Sequence, residues 1–330
     1  MGRASIFSDP SVIAFLQHDF VAVAANAAHL APEEKERRNW CESSRFIESV
    51  IKKSRLRKQD SSESAQGYYA FSAAGDFYGA INGDKADVVK LLENAKKTFA
   101  ESPPKKAELK ETTMGPEAKI PDEAIVLRVY SRIVPLPEDV PQDSLNRSVG
   151  RDHLWITKEE QVAMLKALAS IETADAPETL SKRIVRFHLT DNVRGESDLW
   201  DSENVKVRSF QISRIADSPT LLTVKLKGSF SMLMPKRKRD EKPHLVPEMG
   251  YAGTLEGIFQ IDKSRQKLTA AKIFASGEAW GESVYTIGAP KGKFPLKIAM
   301  VLADDANSRE IAPQGLMGNE RTEYLNPTSP

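Results

Sequence analysis

A chain of 330 residues exceeds the length at which one core usually keeps growing, so two domains are expected. It is 40% hydrophobic and 28% charged, the balance of an ordinary globular protein, and its net charge of +1 offers no bulk attraction to nucleic acid or an anionic membrane. One cysteine, Cys41, excludes an internal disulfide, no apolar run is long enough for a membrane span, and the opening MGRASIFSDPSVIAFLQHDF lacks the apolar core of a signal peptide, so a soluble cytoplasmic protein is expected.

The first hundred residues read as alternating α and β elements. Asp9 is placed to cap a helix with Pro10 at its first position and Val12, Ile13 and Leu16 on one face. The short uncharged run FVAVAANAA, 20–28, reads as a buried strand, and residues 32–56 as a polar helix whose stripe of Trp40, Ile47, Val50 and Ile51 faces a core. QGYYAFSAAGDFYGAING is a hairpin pattern with Gly75 at the turn. Asp84 then opens a helix with Val88, Leu91, Leu92, Ala95 and Phe99 at helical spacing. Residues 101–122 are rich in Lys, Glu and Pro, too poor in large apolar groups to offset their ordering entropy, and predict a linker.

Beyond the linker, residues 123–330 read as an α+β domain with a mainly antiparallel sheet. AIVLRVYSRIV predicts a strand, and TKEEQVAMLKALAS a helix with the capping-box pair Thr157 and Glu160. Leu180, Ile184 and Phe187 suggest another helix, after which the period changes to two: Leu222, Val224, Leu226, Phe230 and Met232 alternate with polar residues. LEGIFQID and LTAAKIFASGEAWG form a hairpin about KSRQK, and FPLKIAMVLAD adds a strand. PKRKRDEKPH reads as a solvated hairpin loop, GAPKGKFP as a structural turn without P-loop spacing, and the tail after Pro313 as loosely ordered.

FSDPSVIAFLQHDFVAVAANA, followed by GYYAFSAAGDFYGAINGDKADVVKLLENAKKTFA, resembles thioredoxin-like domains over residues 1–100. The resemblance implies a thioredoxin-like α/β fold and, in the family at large, a Cys-x-x-Cys pair at a helix N-terminus beside a cis-proline. Here Trp40 and Cys41 are followed by Ser44 where a second cysteine would fall, and SAQGYYAF has Gly67 and no proline before the hairpin strand. A redox site degenerate in both respects is expected. Cys41 then has two readings: an inert cysteine at the edge of the Trp40 stripe, or a monothiol redox centre assisted by Arg37, Arg38 and Arg45.

In the second domain, RDHLW, RFHLTDNVRGESDLW and GEAWGESVY carry three of the four tryptophans next to His, Arg, Asp or Glu. Converging beside the sheet, they would make an apolar pocket with a few fixed polar groups, the usual composition of a small-molecule site. In the enzymatic reading, His188 and Asp191 form an acid/base pair, Arg194 holds an anionic group, and Trp200, Trp280 and Tyr285 contact the ligand. In the structural reading the tryptophans are core and His188 satisfies a backbone carbonyl. The five histidines show no metal-ligand spacing, so neither a metal nor another cofactor is expected. The expected function is that of a thioredoxin-like protein without a dithiol, binding a protein partner or small ligand through its C-terminal domain.

Overall fold

The computed structural model describes residues 9–23, 50, 53, 67–104, 119–142, 144–239, 242–283, 286–303, 305, 307–309, 311–316 and 321–327. The chain divides into two units, residues 1–119 and 120–330. Within the expected linker, Glu101 still belongs to a helix, Ile120 is buried in the second unit, and 105–118 lie outside the described residues.

In the first unit, helix α1 (Pro10–His18) begins as its cap predicts, the Asp9 carboxylate accepting from Ser11 N at 2.9 Å. Lys85 pairs with the same carboxylate, and that contact, followed by Ser11, lowers the Asp9 pKa to about 2. Strands β1 (Tyr68–Phe71) and β2 (Phe77–Ile81) form an antiparallel hairpin with Gly75 at φ 84°. Helix α2 (Lys85–Glu101) starts in a reciprocal capping box between Asp84 and Asp87. Its Val88 and Leu92 pack with Val12 of α1.

One expectation departs in this unit. Phe20–Val23 form no strand among the described residues, and Val21 is 91% exposed; 24–28, the rest of the expected strand, lie outside the described residues. The helix expected from Asp84 forms, and at its far end Phe99, 48% exposed, meets Tyr78 edge-on. The helix expected over 32–56 lies outside the described residues, apart from Val50, which is buried, and Lys53, which donates to Gly75 O at 2.6 Å.

The second unit is built on an eight-stranded sheet in which every neighbouring pair is antiparallel. β3 (Ile125–Ile133) pairs with β4 (Gly150–Ile156) at one edge. The chain then passes through α3 (Lys158–Ala167) to the opposite edge, β5 (Thr173–Asp175). After α4 (Glu178–Arg183) and a wide turn over Ile184–His188, it meanders back through β6 (Val205–Asp217) and β7 (Leu221–Met234). β10 (Met249–Asp262), β11 (Lys267–Trp280) and β12 (Lys293–Leu302) complete the return, and β12 docks beside β3. PKRKRDEKPH, expected as a loop, contains a small separate hairpin, β8 (Arg237–Arg239) with β9 (Lys242–Val246).

The two-residue period decides which face is buried. Val224, Leu226, Phe259, Ile273 and Ile298 point into one core, where Met164 of α3, Leu180 of α4 and Trp200 cover them. The capping box of α3 forms as expected, Glu160 N donating to Thr157 Oγ1 and Thr157 N to Glu160 Oε2. The tail corrects another expectation. Leu316 and Tyr324, the latter on α5 (Arg321–Leu325), are buried with Val126, Trp155 and Phe187, so these residues are core and not loose chain.

Candidate functional site

The segment between α4 and β6 delivers both candidate sites, three residues apart. The wide turn closes with Leu189 N donating to Ile184 O at 2.9 Å and turns His188 toward β4. There His188 Nδ1 lies 2.8 Å from Asp152 Oδ2, and Nε2 lies 2.8 Å from the Tyr324 hydroxyl. Asp152 is further held by His153 N and Gln314 N, each donating to Oδ1 at 2.7 Å. His188 is 1% exposed and Tyr324 fully buried, and that burial pushes the Tyr324 phenol well above its ordinary pKa.

Beside this trio, Arg183 is fully buried and every guanidinium nitrogen is used. Nε donates to Tyr324 O at 2.8 Å, Nη2 to Leu325 O, and Nη1 to both Trp155 O at 3.0 Å and Glu160 Oε2 at 2.9 Å. Asp152, His188 and Tyr324 have the partners of a catalytic relay but no open approach to either ring nitrogen. Their effect is to lock β4, the wide turn and the tail together.

The acid/base pair expected between His188 and Asp191 is therefore not formed: the wide turn sends the two side chains to different partners. Asp191 accepts from Val193 N at 3.2 Å and pairs with Arg194 Nη2. Nor does Arg194 wait for an anion. Nε donates to Thr286 O at 3.0 Å, Nη1 donates to Asn146 Oδ1 at 2.9 Å, and the guanidinium stacks over Phe294 at 5.6 Å. It is a buried clamp on Asp191, and it joins the segment to the loop before β12.

Asp191 does reach open space. With Ser197 and Trp200 it lines a pocket whose other walls include Tyr251, Trp280, Glu282, Thr286 and Phe294, and whose free space, about 20 Å³, holds little more than a water molecule. His188 and Arg194 do not line it. Trp200 Nε1 donates to Leu189 O at 2.8 Å, which fixes the indole as wall. Trp280 Nε1 donates to Glu248 Oε1 at 3.3 Å, and the Lys293 ammonium sits 5.1 Å from the Trp280 ring centre.

Two glycines make this arrangement possible. A Cβ on Gly250 would fall 2.1 Å from the Trp280 ring, and Gly281, at φ 76°, passes close against Glu248 O. Tyr251 donates to Leu296 O at 3.0 Å, and burial, with the Asp191 charge second, holds its phenol well above the usual range. Glu282 accepts from Gly288 N at 2.7 Å and Ala289 N at 3.2 Å, pinning the loop over the pocket.

RFHLTDNVRGESDLW and GEAWGESVY thus meet at the pocket through Asp191, Trp200 and Trp280, while Trp155 belongs to the other, sealed cluster. Cys41 and Tyr285 lie outside the described residues. Tyr251, Phe294, Asn146 and Thr286 were not singled out from the sequence; the glycine before Tyr251 is the one local hint of a close approach there. Among the described residues, no group of three or more His, Cys, Asp or Glu side chains is placed to hold a metal ion. No protein-family model, curated protein or solved structure matches the chain.

Proposed function

We propose that residues 120–330 form a ligand-binding module and that its site is the pocket between Trp200, Tyr251, Trp280 and Phe294. The observation that carries this reading is Asp191, a carboxylate held by a buried arginine at the wall of an aromatic-lined opening. Fixed polar groups among aromatic walls are what a small-molecule site requires. The free space, room for little more than a water molecule, suits one end of a ligand rather than the whole of it. Binding is favoured over catalysis because the histidine that would serve as acid or base is enclosed by Asp152 and Tyr324.

The first unit is read as thioredoxin-like without a dithiol pair, supported by the order of hairpin and closing helix over Tyr68–Glu101. The test uses tryptophan fluorescence of the full chain, titrated to millimolar concentration with three ring compounds matched in size: benzamidine, benzoate and benzyl alcohol. A saturable response to at least one, abolished in folded Trp280→Ala, is expected. No saturable response from any of them, or one that survives Trp280→Ala, counts against the pocket.

A further inference from the structure

The sheet face opposite the main core carries a charge pattern that the near-zero net charge of the chain conceals. Register aligns its side chains in rows. One runs Lys225, Ile258, Lys272, Val301 and Arg128 across β7, β10, β11, β12 and β3. The next runs Lys227, Glu256, Phe274, Ala299 and Tyr130 across the same strands and continues to Arg151 on β4. A third runs Ser229, Thr254, Ser276, Lys297 and Arg132.

Alternation in burial sets the first two rows on the outer face, since most of their neighbours along each strand are core, and the two-residue period carries the third row with them. Ile258 and Phe274 are 41% and 40% exposed, large apolar groups at the centre of the strip. Arg128 pairs with Asp305, but Lys225, Lys227, Lys272, Lys297, Arg132 and Arg151 make no ion pair among the described residues. Glu256 is the one acid in the three rows. Strands lie about 4.8 Å apart, so Lys225 and Lys272, two strands apart, flank Ile258 at a spacing of about 10 Å.

An apolar strip rimmed by cations that have no ion pair among the described residues is the makeup of an interaction surface rather than of a solvated sheet face, where both signs of charge would intersperse. We infer that this face docks an acidic polypeptide segment in which Asp or Glu alternates with apolar side chains. Charge complementarity sets the sign of the partner. Its class follows from the centre of the strip: Ile258, Val301 and Ala299 are aliphatic and gain from burying leucine-like groups, and the two rings in the rows, Phe274 and Tyr130, are separated by Ala299 rather than set as a run of platforms under successive bases.

The probe is a fluorescein-labelled decapeptide alternating Glu with Leu and Phe, read by anisotropy against the full chain at low salt. Saturable binding is expected, weakened at least tenfold by Lys225→Glu with Lys272→Glu, by Phe274→Ser, and by replacing each Glu of the peptide with Gln. Added salt should weaken it as well. Lys166→Glu on α3, exposed and off this face, should leave the affinity unchanged, and a urea midpoint for each variant shows that it has folded. Three results would each overturn the inference: no binding of the acidic peptide, affinity indifferent to the sheet-face substitutions, or tighter binding of an oligothymidylate of equal length, which would mark the face as one for phosphate polymers.

Discussion

His188 and Asp191 stand three residues apart and end in opposite circumstances. Both ring nitrogens of His188 are matched and the side chain is buried beneath the tail; around Asp191 the same kinds of group, a carboxylate, an arginine and two tryptophans, stand at an opening. The contrast teaches that residue type does not mark a site. What separates a structural lock from a binding site is whether a partner group is left facing solvent.

The hardest blow to that contrast would fall on Arg183. Arg183→Met removes a fully buried charge and strands the Glu160 carboxylate with three carbonyls, so urea unfolding should show a loss of about 3–5 kcal/mol. Adding Glu160→Gln should restore part of it, since the stranded charge goes too. A loss below the range of a surface substitution would mean that the sealed end is not a lock.

A smaller effect is expected at the open end. Gly250→Ala forces the Trp280 ring to move, costing about 1–3 kcal/mol, the usual penalty of overpacking, and shifting the tryptophan emission. An unchanged spectrum would mean that the ring does not rest on Gly250.

The smallest concerns pH. His153 lies half-buried on β4, and desolvation, more than its neighbouring charges, lowers its pKa below 6.5. Between its folded value and the unfolded value near 6.5 the unfolded chain binds the extra proton, so its contribution to stability is complete above that range and is lost as the pH falls through it. Urea midpoints of the wild type between pH 7.5 and 5.5 should therefore fall more steeply than those of His153→Asn; parallel slopes would remove His153 from the account.

Local chemistry announced local structure well. The Asp9 cap, the Thr157–Glu160 box and the alternation from Leu222 to Met232 all concern neighbours along the chain, and each forms. What failed depended on distant partners. Phe20–Val23 carry strand-like residues, but pairing needs a second strand that composition cannot promise. His188 looked paired with the nearest carboxylate, whereas its partner is Asp152, brought across from the β4 edge. Tyr324 sits among polar residues near the chain end, and nothing nearby in sequence signals that it fills the space beside Trp155 and Phe187. The pocket itself was half visible: Asp191, Trp200 and Trp280 share sequence features that attract notice, while Tyr251 and Phe294 enter only through the register of β10 and β12.

The eight-stranded sheet is open, and its two margins are treated differently. β5 is three residues long and offers little for another strand to copy. β4 is seven residues long, yet its outward groups at Trp155 are already taken, the carbonyl by Arg183 and the amide by the Tyr324 hydroxyl at 3.4 Å. Helix α5 thus stands against the groups that another strand would have to use at this edge. Proteolytic nicking that removed it would bare that margin and at the same time strip Arg183 and His188 of partners, so exposure of the edge and loss of stability would arrive together.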